Sequence, residues 1–140
     1  MKEIKVHNET VAIFHRIAEW KEGLDFLTSN ETFIQAGTWW YQKGKNLRSH
    51  LHINNERIAE RTQETIVILS GKVRVDLYDE TKKIFHQEEL VAGDIGVILK
   101  VGHGYQILED NTKVVEIKNG PFISVEKDKI FLDNAASQSY

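Results

Sequence analysis

The stretch "ETIVILSGKVRVDLYDET", residues 64–81, carries the clearest structural signal in the chain. Residues 66–69 are Ile-Val-Ile-Leu, an uninterrupted apolar run that is typical of a strand buried on both faces. Ser70-Gly71 then marks a turn. From residue 72 to residue 77, charged and apolar side chains alternate, as in a strand with one face in the core. The stretch therefore predicts two strands joined by a tight turn.

Similar signals follow along most of the chain. Turn residues at close spacing separate short runs rich in β-branched, aliphatic and aromatic residues. Further strands are predicted within residues 32–44, 82–94 with a turn at Gly93-Asp94, 95–101, 102–110 and 112–120. Residues 11–27 mix helical and irregular signals. No helical period alternates with the strands, so a parallel α/β sheet is not expected. The pattern predicts an all-β sandwich or barrel.

The length and the continuity of this pattern predict one domain, residues 1–140. Its core is expected at about residues 32–125, preceded by an N-terminal extension, residues 1–31, and followed by a loose polar tail, residues 132–140. No linker, internal repeat or low-complexity block interrupts the chain.

Composition narrows the classes of function. Hydrophobic residues make up 41% and charged residues 28%, which suits a globular protein. The formal net charge is −3 and no basic stripe is present, so a nucleic-acid partner is not expected. No apolar run is long enough to span a bilayer, and we expect a cytoplasmic protein without a membrane partner. The chain has no cysteine, which leaves His, Asp and Glu as the strong metal ligands.

Two histidines, His50 and His52, precede the first quoted stretch. Residues two apart on a strand point to the same face, so both imidazoles would reach one metal ion if this segment is extended. Glu64 begins the next strong strand and offers a carboxylate, and His103 lies in a later turn between two glycines. His, His, Glu and His are a suitable ligand set for a divalent cation. The alternative is that the histidines lie in a polar loop and bind nothing.

These residues resemble the signature motifs of the cupin superfamily. "GKNLRSHLH", residues 44–52, has a glycine, five residues and then H-x-H, and "ETIVILSG", residues 64–71, has a glutamate, six residues and a glycine. "GDIGVILKVGHGYQ", residues 93–106, is similar to the second cupin motif. The resemblance covers roughly residues 36–118. It implies a jelly-roll barrel, also called a double-stranded β-helix, in which His50, His52, Glu64 and His103 hold a divalent ion such as Zn, Fe, Mn or Ni.

The chain departs from the family pattern at two points. Eleven residues separate His52 from Glu64, where the family has three or four, so residues 53–63 read as an insertion. Glu56 would satisfy the shorter spacing and is the alternative ligand. Glu64 is preferred because it begins an apolar strand. In the second motif Leu99 replaces the expected proline, and His103 comes one residue early.

Four further residues are candidates for positions around the metal. Tyr105 would follow His103 into the cavity, and Glu116 is an unexpected acid in an apolar strand, so both are candidate acid–base groups. Glu116 on the solvent face is the alternative. Arg48 has the parity of the two histidines and could bind an anionic group, and Trp40 could line the cavity mouth. For both, exposure or core packing is the simpler interpretation.

The resemblance implies a metal-dependent enzyme acting on a small polar metabolite such as a sugar or sugar derivative, of isomerase or epimerase type. An iron-dependent dioxygenase and a non-enzymatic small-ligand-binding protein are the alternatives. Similar cupins are commonly dimers, so a homodimer is expected.

Overall fold

The computed structural model describes residues 1–132, and the predicted tail lies almost wholly outside them. Within these residues the regular secondary structure is almost entirely β-strand, which confirms the predicted all-β class. The strands are β1 (Lys2–Val6), β2 (Glu9–His15), β3 (Gly23–Phe26), β4 (Gly37–Trp40), β5 (Glu64–Ser70), β6 (Lys72–Tyr78), β7 (Ile84–Val91), β8 (Ile95–Ile98), β9 (Gly102–Ile107) and β10 (Lys113–Lys118). A 3-10 turn, Ile17–Glu19, and a short helix α1, Val125–Asp128, complete the described structure. None of the helical segments in residues 1–132 has the length and apolarity needed to cross a membrane.

The strands form two main antiparallel sheets and a hairpin. The larger sheet has the order β1-β2-β8-β5-β10, and the smaller has the order β7-β6-β9. Strands β3 and β4 pair only with each other. The two main sheets pack face to face around one apolar core, to which Phe14, Ile66, Val75 and Leu90 belong. Both sheets are open at their edges, so the strands do not close into a barrel.

The two strands predicted from residues 64–81 are confirmed as β5 and β6. Gly71 joins them with a φ of +75°, and a Cβ at this position would meet Thr112 at 2.2 Å. Glycine is therefore required both for the backbone conformation and for the close approach. Ile66 and Ile68 are buried between the sheets, as expected for inward-facing residues. Leu69 is 58% exposed, so the predicted burial on both faces does not extend to the end of β5.

The N-terminal region is part of the sheet rather than an extension. Strand β2 lies between β1 and β8, and its residues 11–15 are all buried. This corrects both the mixed helical interpretation of residues 11–27 and the separate extension of residues 1–31. A strand buried on both faces shows no apolar–polar alternation, which is why its periodicity was uninformative.

A second core lies on the outer face of the larger sheet. The segment containing β3 and β4 covers this face, and Leu27 packs there with Ile13 and Val97. The strand predicted within residues 32–44 is reduced to β4, Gly37–Trp40, in which Thr38 is buried while Trp39 and Trp40 are exposed. The aromatic pair therefore contributes little to either core.

Candidate functional site

The candidate site lies where β5, β9 and β10 meet at one edge of the sandwich. Glu64 opens β5 and pairs in register with Lys118 on β10. His103 and Tyr105 lie two residues apart on β9, so both face the same side of the smaller sheet. Tyr105 and His103 pair in register with two buried core residues of β6, Val75 and Leu77, which places them on the inner face. Two sheets thus supply the groups that surround one glutamate.

Glu64 is the centre of this cluster and is only 4% exposed. Its Oε1 lies 2.9 Å from Nε2 of His103 and accepts a short hydrogen bond from the Tyr105 hydroxyl. Its Oε2 lies 3.3 Å from Nζ of Lys118. Burial disfavours the charged carboxylate, but the hydrogen bonds from His103 and Tyr105 and the charge of Lys118 outweigh burial and lower the pKa of Glu64 to about 2. Glu64 is therefore a buried anion at neutral pH.

The imidazole of His103 is held at both nitrogens. Nδ1 lies 3.1 Å from the carbonyl oxygen of Val101, which can only accept a hydrogen bond, so Nδ1 carries a proton. Nε2 faces the Glu64 carboxylate. Burial alone would lower the pKa of His103, but the hydrogen bond and charge of Glu64 raise it. Nε2 therefore either carries a second proton or shares a cation with Glu64.

Tyr105 and Glu116, the two predicted acid–base groups, lie in different environments. Burial raises the pKa of the Tyr105 phenol and the adjacent Glu64 charge raises it further, so its hydroxyl keeps its proton. Glu116 lies toward the edge of the sheet, with its side chain 45% exposed and Oε1 2.7 Å from Nζ of Lys118. Lys118 thus bridges the two carboxylates. The sequence interpretation gave Lys118 no role, and only the register of β10 on β5 reveals its contact with Glu64.

The structure does not bring His50 and His52 to this cluster. Residues 41–63 contain no helix or strand, so the prediction that these histidines lie on a strand is wrong. Strand β4 ends at Trp40 and pairs only with β3, which leaves the following residues without a strand partner. His50 and His52 are exposed, with ring centroids 4.9 Å apart, and Nδ1 of His50 lies 3.0 Å from the carbonyl oxygen of Arg48.

The remaining predicted site residues are also exposed. Arg48, Trp40 and the alternative ligand Glu56 all lie on the surface, away from the two cores. Across residues 1–132, no three His, Asp or Glu side chains are grouped so that they could hold a metal ion. The four predicted ligands therefore lie as two separate pairs, the buried Glu64 with the partly buried His103, and the exposed His50 with His52.

Comparisons with known protein families, with curated proteins and with solved structures yield no match.

Proposed function

We propose that the chain is a divalent-metal-binding protein of the cupin type, with a jelly-roll path of its strands, that acts as an enzyme on a small polar metabolite. The expected reaction is an isomerisation or epimerisation of a sugar or sugar derivative. One observation carries the proposal: His103 and Tyr105 converge on the buried carboxylate of Glu64 at the open edge of the sandwich. Glu64 itself is buried, but His103 and Lys118 beside it are partly exposed, so a cation or a small molecule can approach the cluster from this edge.

The donor groups fit a divalent cation in their chemistry. An imidazole nitrogen and a carboxylate oxygen suit Zn²⁺ and other first-row divalent ions. Metal-ligating histidines usually donate their second ring N–H to a carbonyl or carboxylate, which fixes the tautomer. His103 does so with Val101, and His50 makes the same kind of contact with Arg48.

The charge count around Glu64 also supports a cation. The carboxylates of Glu64 and Glu116 share one permanently charged partner, Lys118. The second positive charge beside Glu64 comes from His103 when its imidazole is protonated, and a divalent ion would take the place of that proton. Leaving a buried carboxylate without its cation is strongly destabilising, so Glu64 favours either the protonated imidazole or a metal ion beside it.

His50 and His52 would complete the ligand set if residues 41–63 fold toward the edge of the sandwich. This segment has no regular secondary structure and carries exposed Leu51, Ile53 and Ile58, whose burial would favour such folding. Metal binding commonly contributes its free energy to the folding of the ligand-bearing segment. The insertion, residues 53–63, is then a covering segment of the site.

A bound divalent ion would polarise a carbonyl or hydroxyl oxygen of the metabolite. The side chains of this chain would handle protons. Glu116 is the candidate base, because its carboxylate is accessible and lies beside the site. Tyr105 orients Glu64 through its hydroxyl and is not available as a base while its proton is held there.

The test is metal analysis of the full chain, purified without a histidine tag, on the parent and on three variants. We expect about one divalent ion per chain in the parent and large losses in Glu64→Gln and His52→Ala. His7→Asn is the matched control, because His7 is exposed and has a φ of 50°, a conformation that asparagine tolerates. The proposal is contradicted if the parent contains no stoichiometric metal and its melting temperature does not change when chelator is added.

The identity of the ion then decides between reactions. Zinc or manganese supports Lewis-acid isomerisation, whereas iron favours dioxygenation. Turnover of candidate sugars separates an enzyme from a protein that only binds its ligand.

A further inference from the structure

A cavity of about 220 Å³ opens beside Tyr105 at the same edge of the sandwich. It lies between β9 and β10, the outermost strands of the two sheets at this edge. Its lining consists of Ile66, Val73, Tyr105, Ile107, Val114 and Glu116. The cavity exists because no strand bridges β9 and β10, so the inner core is accessible between them.

The lining is almost entirely apolar. Ile66 and Val73 belong to the buried core and form its deep part, while Ile107 and Val114 are partly exposed at its rim. Tyr105 lines the cavity, but its hydroxyl donates to Glu64 and is not free to donate to a ligand. Among residues 1–132, Glu116 is the one charged residue in the lining. A ligand with hydroxyl groups all around its ring would lose hydrogen bonds to water here without replacing them.

The size of the cavity limits what it can hold. Pockets for drug-sized ligands are usually about 300 Å³ or larger, so 220 Å³ accommodates only a compact group. An apolar cavity of about 150 Å³ lined by aliphatic and aromatic side chains is sufficient to bind benzene in another protein. A six-membered carbon ring or a short branched alkyl group therefore fits.

We infer that this cavity binds the apolar part of an amphiphilic small molecule whose polar end reaches Glu64 and His103. The placement of the polar end at Glu64 and His103 rests on the proposed function. The binding of the apolar part depends only on the residues that line the cavity. The substrate class narrows accordingly from any polar metabolite to one with a polar end and a compact apolar end. Among the sugars and sugar derivatives of the proposed function, this class keeps derivatives with a compact apolar group and excludes fully hydroxylated sugars.

Two probes of equal ring size test the inference: cyclohexanol, with one hydroxyl group, and myo-inositol, with a hydroxyl on every carbon. Each is titrated into the full chain in the presence of chelator, and the methyl resonances of Ile66 and Ile107 are followed by NMR. We expect saturable shifts with cyclohexanol, with a Kd on the order of 1 mM, and no such shifts with myo-inositol. Chelator removes any contribution from a bound metal.

Two matched variants locate the binding. Val114 lines the cavity, whereas Val115 points to the opposite face of the same strand, and the two are 38% and 40% exposed. Val114→Trp fills the cavity and should weaken cyclohexanol binding at least about tenfold, while Val115→Trp should leave it within about twofold.

Three outcomes overturn the inference: absent cyclohexanol binding, equal shifts with myo-inositol, or unchanged binding in Val114→Trp. Because the titration is made without metal, its failure leaves the metal site unaffected. Conversely, a parent that binds cyclohexanol but no metal would support the apolar pocket and contradict the proposed function. The two failures are therefore distinguishable.

Discussion

The two edges of the smaller sheet hold similar residues in different settings. On β7, His86 and Glu88 pair in register with Leu77 and Val75 of β6, and on β9 His103 and Tyr105 pair with the same two residues. Both edges therefore place a histidine and a second polar side chain on the inner face. The buried glutamate is Glu88 itself at the β7 edge, whereas at the β9 edge it is Glu64 of the other sheet. What differs is the supply of permanent positive charge.

At the β7 edge, Glu88 is fully compensated. It is 8% exposed and accepts from Lys2 at 2.6 Å, from His86 at 2.9 Å and from Arg16. Arg16 also donates to the buried carboxylate of Asp94 at 2.8 Å. Two permanent cations thus face two carboxylates. Glu64 at the β9 edge shares one permanent cation with Glu116. The first cluster is therefore held by permanent cations, whereas the charge balance of the second depends on the protonation of His103 or on a bound ion.

The largest expected effect comes from disrupting the cluster around Glu88 at the β7 edge. Arg16→Met leaves Glu88 with fewer partners and removes the cation facing Asp94. Leaving a buried carboxylate without its cation costs about 3 kcal/mol or more. Because Arg16 itself is 36% exposed and solvent screens its charge, urea unfolding should show a loss of about 2 to 3 kcal/mol. Lys100→Met is the control, since Lys100 forms an exposed pair with Glu9, and such a pair contributes less than about 1 kcal/mol. Equal losses in the two variants would contradict a structural role for Arg16.

The sequence predicted local structure better than it predicted these clusters. Strands β5 and β6 were correct because alternation and a glycine turn are local signals. Strand β2 was missed because burial on both faces removes the alternation. The contact between Glu64 and Lys118 depends on pairing between residues far apart in the chain, which no local pattern encodes.

The predicted metal ligands show the same difference between what a local pattern encodes and what strand pairing decides. Glu64 and His103 were predicted together by family resemblance, and the structure places them in contact. His50 and His52 were assigned to a strand by their spacing, but that spacing specifies no partner for a strand to pair with. The positive groups around Glu64, His103 and Lys118, were not predictable as a set, because their meeting depends on which strands pair beside the buried carboxylate.

A second prediction concerns the hydroxyl that only the β9 edge contains. Tyr105→Phe removes one donor to the buried Glu64 carboxylate while keeping the ring. A hydrogen bond to a charged group contributes about 2 kcal/mol, so urea unfolding without metal should show a loss of that order. Tyr41→Phe, outside the strands, serves as the control and should change the stability by less than about 0.5 kcal/mol. A Tyr105→Phe variant as stable as the parent would mean that the hydroxyl does not stabilise the Glu64 anion.

The third prediction concerns pH. The folded-state pKa of Glu64, about 2, is below its ordinary value of 4.5, so its contribution to stability is present above pH 4.5 and is lost as pH falls toward 2. In the presence of chelator, Glu64→Gln should flatten the dependence of the unfolding free energy on pH between pH 4.5 and 2. One proton changes this free energy by at most about 1.4 kcal/mol per pH unit.

His103 gives the opposite sign and serves as the counter-test. Its pKa is raised, so its contribution is present below its ordinary value of 6.5 and is lost as pH rises through the higher folded-state value. His103→Gln should therefore flatten the alkaline side of the stability curve. If both variants keep the parental pH dependence, the contact between Glu64 and His103 does not stabilise the fold.

The smallest expected effect is at the exposed histidine pair. Without metal, His52→Ala should change the unfolding free energy by less than about 0.5 kcal/mol, because His52 is exposed and lies outside the strands. With the divalent ion present, the parent should gain stability that chelator removes, and His52→Ala should lack that gain, since a ligand stabilises only the state that binds it. Thermal unfolding with and without chelator measures both. A metal-dependent gain that survives in His52→Ala would place the ion at Glu64 and His103 without the segment of residues 41–63.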